Sequence, residues 1–330
     1  MWFYKCYTMR LAACCVLALA ALHGCSGGEK GVLVAVNQYV HHPNLDATYA
    51  GFREVVDDWA ARKNQKVVYE LQIANGDVSV ANQIARQQVA KKPALVLALA
   101  TPSAQASIKA TSTVPVIFGA ITDPVAAGLV ESMERPGANA TGSSDRWPYE
   151  RQFDLIRRLR PDAKTIGIVL NPGEANTVAS MTLIDPILQG LGFRKAEAPV
   201  SNTSEVFAAA QSLAGRCDVF YAPADNTVLS GLDAFVKVAE TKKIPLFAGD
   251  EGSVRKGAAA TYGINYEDLG RETGRLAVRV LEGASPGDLP VAVGTAGRLI
   301  VNLDAAGRQG LTFSQEQLQE AIVVGQQDDS

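Results

Sequence analysis

Apolar and polar positions along this chain spell the same order of elements twice. From Val80 to Asp123 an amphipathic stretch leads into Ala94-Leu95-Val96-Leu97-Ala98-Leu99-Ala100. A polar turn and a second amphipathic stretch follow, then Val114-Pro115-Val116-Ile117-Phe118-Gly119. From Val206 to Asp250 the order returns, with Asp218-Val219-Phe220-Tyr221-Ala222-Pro223 and Ile244-Pro245-Leu246-Phe247-Ala248-Gly249-Asp250 as the apolar runs. Each run is short, bounded by turn residues and without helical period, which predicts strands buried on both faces. Strands alternating with helices predict right-handed βαβ units and a parallel sheet. Two such halves predict an α/β protein of two similar lobes, with ligands held in the crevice beyond the strand ends.

The remaining pattern extends this plan. Strands are predicted at Val32–Val36, Val67–Ile73 and Ile166–Leu170; the chain then passes through Ala260–Ile264, and Leu299–Leu303 is expected to cross once more between the lobes. Phe52, Val55, Val56 and Trp59 recur at i, i+3, i+4 and i+7, one face of a helix turned to a sheet. Phe153, Ile156 and Leu159 mark another, and a helix with Leu269, Leu276 and Val280 is expected to return to the first lobe. The small residues Asn139-Ala140-Thr141-Gly142 suit a hinge, and several crossings between lobes would make it stiff. The expected division is 1–24 signal segment, 25–30 tether, 31–142 with 265–288 as lobe one, 143–264 with 289–325 as lobe two, and 326–330 a polar tail.

The N-terminal segment changes the expected location. Lys5 and Arg10 flank the apolar stretch Leu11–Leu22, a layout of signal peptides that is too short for a confident membrane span. Met9-Arg10 is an alternative start. Gly24-Cys25 resembles the lipobox of bacterial lipoproteins, so Cys25 is expected to carry lipid and to tether the chain through Ser26-Gly27-Gly28. A plain secretory signal is the blander alternative. Of the five cysteines, Cys6, Cys14 and Cys15 leave with the signal and only Cys217 remains in the folded part, so no disulfide framework is expected. Loss of Lys5 and Arg10 takes the formal charge from −3 to −5, and a mildly acidic chain without a basic stripe argues against nucleic acid.

Candidate chemistry lies at the strand tips. Thr101, Ser103, Asp123, Asn171, Asn176, Asp225, Asn226 and Asp250 all stand where a strand turns into a loop or helix. Hydroxyls, amides and free backbone N–H groups at helix starts hold anions, and opposing carboxylates hold an ammonium. Each residue alone is as well explained as an N-cap; their occurrence on both lobes favours a polar ligand site. No G-x-G-x-x-G follows the first strand, and no P-loop or G-x-S-x-G elbow occurs. His41 and His42 are adjacent, a poor arrangement for one metal, so neither metal nor cofactor is expected. An acid–base pair of Asp123 and Asp250 is the weak enzymatic alternative.

In order along nearly the whole mature chain, several segments resemble the tryptophan/tyrosine-type substrate-binding proteins of ABC transporters. They are Gln38…His42-Pro43-Asn44-Leu45-Asp46, Ala100-Thr101-Pro102-Ser103-Ala104-Gln105, Thr122-Asp123-Pro124, Pro136-Gly137-Ala138-Asn139-Ala140-Thr141-Gly142, Asn171-Pro172-Gly173-Glu174-Ala175-Asn176, Asp225-Asn226-Thr227-Val228 and Asp250-Glu251. The resemblance implies a type I periplasmic-binding-protein fold: two Rossmann-like lobes with parallel sheets, a three-crossover hinge and a ligand clamped between them. It implies an extracytoplasmic receptor in the periplasm or at the cell surface, monomeric, lipid-anchored, and served by an ABC permease and ATPase. A sensory subunit would use the same fold. Ser103 and the Ala104 N–H are then expected on a carboxylate, Asp225 or Asp250 on a cationic group, and Asn171 and Asn176 as amide donors. Gln38, Tyr39, His41, Thr101, Asp123 and Asn226 complete the expected site, with Tyr39 or Phe118 as an apolar wall. The family usually has Glu-His-Pro at His41-His42-Pro43 and Ser-Asp-Glu at Gly249-Asp250-Glu251, departures that bear on which ligand is held.

Overall fold

The tip-to-tip repeat of the sequence becomes two sheets of matching strand order. The structure, a computed structural model, describes residues 31–137, 139–294 and 297–325. The segments expected to be signal, lipidated Cys25, tether and polar tail lie outside the described residues.

The first sheet is built from β1 (Val32–Gln38), β2 (Val67–Ile73), β3 (Leu95–Leu99), β4 (Val116–Ile121), β5 (Ala140–Ser144) and β11 (Ala292–Val293), in the order β11-β5-β4-β3-β1-β2. All its pairings are parallel. The second contains β6 (Thr165–Leu170), β7 (Arg194–Pro199), β8 (Val219–Ala222), β9 (Leu246–Ala248), β10 (Ala260–Gly263), β12 (Arg298–Asn302) and β13 (Ile322–Val324), in the order β13-β12-β10-β9-β8-β6-β7. Only β10 and β12 run antiparallel there. Five strands of each lobe thus share the 2-1-3-4-5 arrangement. It reverses direction between β1 and β3 in one lobe and between β6 and β8 in the other, the switch points where α/β sheets bind ligands.

Helices supply the layers over these sheets. α1 (Pro43–Arg62) starts on a His42 N-cap with proline at its first position, and buries Phe52, Val56 and Trp59. α2 (Val78–Ala90) and α3 (Thr101–Ala110) link the next strands of lobe one. Lobe two carries α4 (Tyr149–Leu159), α5 (Ala175–Gly190), α6 (Val206–Leu213), α7 (Asn226–Ser230), α8 (Leu232–Lys242) and α9 (Glu251–Arg255). α10 (Tyr266–Leu281) returns to lobe one, packing on α1, β4 and β5 as its apolar spacing predicts. α11 (Leu303–Arg308) and α12 (Gln315–Leu318) precede β13. The strands β3, β4, β8 and β9 of the sequence repeat are buried along their whole length.

The expected lobe boundaries shift in two places. Residues 139–142 are not a free hinge: Ala140–Ser144 is a buried strand hydrogen-bonded to β4. Its residues are small because β4 lies against it, and a Cβ on Gly142 would sit 1.9 Å from the Phe118 carbonyl oxygen. Its hydroxyls are spent internally, Thr141 on the Leu289 carbonyl at 2.8 Å and Ser143 on Thr273 at 2.6 Å. The segment after residue 288 also stays with lobe one, since Ala292 and Val293 pair with Ser143 and Ser144. The chain therefore passes between the sheets after Ser144, after Gly263 and after Val293. Cys217 is half-buried with its thiol on the Leu213 carbonyl, and burial pushes that thiol up to about 12.

Candidate functional site

The strand tips of both lobes and two of the three passages close around one small cavity. Lobe one contributes the start of α1, with His42, Asn44 and Leu45, the head of α3 at Thr101, and the end of β4 at Ala120 and Thr122. Lobe two contributes Asn176 from α5 and Ala224, Asn226 and Leu229 from the β8–α7 tip. Between them stand Asp145 and Trp147 of the first passage and Tyr266 of the second.

Each wall has a local cause. His42 Nδ1 accepts the Asn44 N–H at 3.3 Å, which caps α1 and turns the ring into the cavity. Full burial pushes this imidazole down to about 4, so it is neutral at physiological pH. Asn226 of the opposite lobe lines the same cavity. Ala100 and Ala120 hold φ of +73° and +58°, a strained region for residues with a Cβ, at adjacent strand tips. Strain of this kind persists where the surrounding structure holds it for a purpose. At the head of α3 the Thr101 and Ser103 N–H groups have no acceptor among the described residues, and Pro102 has no N–H to offer.

The second wall is organised by two carboxylates. Glu174 accepts from Asn176 Nδ2 at 3.0 Å and from Asn226 N and Nδ2 at 3.0 and 2.6 Å. It also accepts from Thr227 N and Oγ1 at 3.0 and 2.7 Å. Asp225 accepts from Asn171 N at 2.5 Å, Thr177 Oγ1 at 2.9 Å and Val228 N at 2.9 Å. Burial, and then the neighbouring Glu174, push its carboxyl up to about 7. These bonds fix Asn176, whose Nδ2 is committed to Glu174 and to the Ala224 carbonyl while its Oδ1 is buried without a donor.

The passages hold the third group. Trp147 Nε1 donates to the Tyr266 hydroxyl at 2.9 Å, and that hydroxyl donates to Asp145 Oδ2 at 2.6 Å. Asp145 Oδ1 is buried and has no partner among the described residues. Burial pushes the Asp145 carboxyl up to about 6. A buried carboxylate oxygen and a buried amide oxygen, both without donors among the described residues, belong to two residues that line the same cavity, one on the passage and one on lobe two. With the free N–H of Thr101 at the head of α3 they set acceptor groups against a donor group, and Trp147 and Tyr266 complete the lining.

Of the expected site residues the structure brings Thr101, Asn176 and Asn226 to the cavity. The others serve the frame. Ser103 Oγ donates to Asn37 Oδ1 at 3.0 Å inside lobe one, and the Ala104 N–H closes the first helical turn on the Ala100 carbonyl. Asp123 caps the exposed turn at Val125 and Ala126, and Asp250 caps α9 through Ser253. Neither lines the cavity, so no acid–base pair is assembled from them. Asn171 Oδ1 accepts from Gly173 N and its Nδ2 donates to Thr227, while Asp225 is spent as above. Gln38 Nε2 bonds Val40 O and Asp46, and the Tyr39 hydroxyl donates to the Gly76 carbonyl. His41, whose departure from the family pattern suggested an altered cleft, has a side chain 68% exposed beside Asp46; His42 is the cavity residue. Phe118 and Phe247 are core.

The sequence offered a signal for the missed residues. Asp145 and Trp147 occupy the carboxyl tip of β5, the same place in the lobe as the tips inspected elsewhere. Reading residues 139–142 as a hinge hid that tip. Tyr266 follows β10 by the same logic. Among the described residues no cluster of histidine, cysteine and carboxylates suits a metal ion.

Two Rossmann-like lobes, three passages and an enclosed polar cavity between strand tips define a solute receptor of the type I periplasmic-binding-protein class. The chain belongs to the family of ABC transporter substrate binding proteins, whose pattern it matches over residues 33–324. It is 37% identical over 303 residues to a tyrosine-binding protein of Clostridioides difficile, covering 88% of each chain. A Streptococcus pneumoniae ABC domain in complex with L-Trp is 33% identical and superposes with a TM-score of 0.85, over 89% of this chain and all of that one. A Clostridium difficile substrate-binding protein solved in its ligand-free, open form is 36% identical over 88% of this chain and 99% of that one, with a TM-score of 0.66. At near-equal identity the lobes of this structure therefore match the ligand-bound arrangement better than the open one. Sugar- and inositol-binding relatives at 16% and 13% identity share the fold alone.

Proposed function

We propose that the cavity binds an aromatic L-α-amino acid and that the chain delivers it, as a monomer lipidated at Cys25, to an ABC permease and its ATPase. The observation that carries the ligand class is the pair of buried oxygens without donors, Asp145 Oδ1 and Asn176 Oδ1, in a cavity that also meets the free amides of α3. An ammonium supplies donors to the two oxygens, and a carboxylate accepts from the helix start. A single α-carbon joins those two groups in an α-amino acid, and Trp147 and Tyr266 offer flat walls to its side chain. The tyrosine-binding relative and the L-Trp complex support the same class.

The test is thermal stabilisation of the purified protein against amino acids, nucleobases, carboxylates and sugars. At a hundred times its dissociation constant a ligand adds about 2.7 kcal/mol. L-Trp, L-Tyr or L-Phe is expected to give that shift. A response confined to compounds without an α-ammonium overturns the reading. For the anchor, the C25S variant is expected to leave the membrane fraction, and unchanged fractionation refutes lipidation.

A further inference from the structure

Gly249 follows β9 immediately, and it is glycine for a reason of space. A Cβ built on it would fall 1.7 Å from Cε3, 2.1 Å from Cζ3 and 2.2 Å from Cδ2 of Trp147. Its φ lies outside the left-handed region, so backbone conformation does not demand glycine. The indole comes from the first passage, is 2% exposed, and is among the residues that line the cavity. Its N–H is tied to the Tyr266 hydroxyl and through it to Asp145. The ring is therefore held at its N–H by a hydrogen bond and against its six-membered ring by an empty Cβ position.

We infer that the Gly249–Trp147 pair sets the depth of the subsite for the ligand's side chain and so selects for large planar side chains. The inference rests on the amino-acid reading above. Ordinary contact between a Cβ and an aromatic carbon needs more than 3.4 Å, so any side chain at 249 must push the indole by close to 2 Å. Lobe two blocks retreat on that side, and the displacement goes into the small cavity that Trp147 lines. The same push strains the Trp147–Tyr266–Asp145 chain, which links the side-chain subsite to the proposed ammonium contact.

The experiment is calorimetric titration of wild type, G249A, W147L and the G249A/W147L double variant with L-Trp, L-Tyr, L-Phe and L-Leu. G249A is expected to weaken L-Trp and L-Tyr by about tenfold or more relative to L-Leu, the scale on which pocket size discriminates. The smaller residue in G249A/W147L is expected to return most of the L-Tyr affinity that G249A loses relative to W147L. Equal affinities in G249A and wild type, or losses in the double variant equal to the product of the singles, overturn the inference. A readout independent of any ligand is the emission of Trp147 in a W2F/W59F background, where it is the sole tryptophan. G249A is expected to shift its emission and quenching. An unchanged spectrum refutes the coupling even if no amino acid binds wild type, an outcome that would instead refute the ligand assignment. Should G249A fail to fold, W147F alone is expected to narrow the L-Trp to L-Phe preference, and an unaltered preference overturns the inference.

Discussion

Replacing Asp145 by asparagine tests the acceptor pole through stability and binding at once. The carboxyl is fully buried, has one oxygen on the Tyr266 hydroxyl and no donor on the other, and is pushed up to about 6 from 3.8. Because its folded value lies above the unfolded one, the folded state binds the extra proton between those values, and the ligand-free protein loses stability as pH rises from about 4 to about 6. The shift corresponds to roughly 3 kcal/mol of penalty carried at neutral pH. The Asp145→Asn variant escapes that penalty but leaves an unpaired amide at a cost of about 1–3 kcal/mol, which does not vary with pH. Urea unfolding of both proteins without ligand should thus show the variant gaining on wild type by about 3 kcal/mol between pH 4 and pH 7.5. The binding arm has the opposite sign. An ammonium needs the charged carboxylate, so wild-type affinity for an aromatic amino acid should fall about tenfold between pH 7 and pH 5. The variant should bind about 10–100-fold more weakly at pH 7, the worth of a charged hydrogen bond, and hold that affinity at pH 5. A stability difference that does not change with pH, or a variant that binds as tightly as wild type, refutes the assignment of Asp145.

Other residues answer to simpler measurements. His42 has its folded value lowered to about 4 by burial, so the unfolded state binds the extra proton below pH 6.5. Its contribution is lost as pH falls towards 4, by roughly 3 kcal/mol, and imidazole nitrogen shifts should report a neutral ring at pH 5.5; a protonated ring there contradicts its placement. Glu174→Ala removes the acceptor of five hydrogen bonds from buried or half-buried donors. Unfolding in urea should show a loss of at least about 3 kcal/mol, and a loss under 1 kcal/mol would mean that those donors find water. A Cβ on Gly252 would lie 2.7 Å from Asn44 Oδ1 and 3.1 Å from Pro43 Cβ in the opposite lobe. Gly252→Val should hold the lobes apart, raising the radius of gyration measured with ligand present and weakening binding without lowering the unfolding temperature; a ligand-closed variant of wild-type size refutes this.

Most strands legible in the sequence, such as β3, β4, β8 and β9, are apolar runs buried on both faces; β2, with its exposed positions, is the exception. The missed ones each break that rule for a physical reason. β5 is buried but made of Ala, Thr, Gly and Ser, because β4 and α10 approach it closely and its hydroxyls bond inside the core. β7 is an edge strand in which buried Ala196 and Ala198 alternate with exposed Arg194, Lys195, Glu197 and Pro199, charges and a proline that suit an edge. The site was legible only as a place. Capping and ligand binding draw on the same residue types, and here Asp123, Asp225 and Asp250 turn back onto their own turns or helices. What marks Asp145 and Asn176 is an oxygen left without a donor, a property of three-dimensional surroundings that no spacing encodes.

On the proposed reading, hinge and ligand contact are the same residues, and binding would then drive closure. Asp145 and Trp147 belong to the first passage between the lobes and Tyr266 to the second, and their hydrogen bonds tie the two passages together beneath the cavity. His42 and Asn226, from opposite lobes, line the one cavity. A ligand that merely touched one lobe would bind open and closed states alike and shift nothing. An ammonium that satisfies Asp145 on the passage and Asn176 on lobe two, with its carboxylate on the α3 head of lobe one, gains its full set of partners only in the closed arrangement. Closure without that ligand leaves two buried oxygens unpaired, at about 1–3 kcal/mol each and more for the charged one. Those unpaired oxygens raise the energy of the closed state without ligand, so on the proposed reading occupancy favours closure and a permease that reads lobe closure would read occupancy.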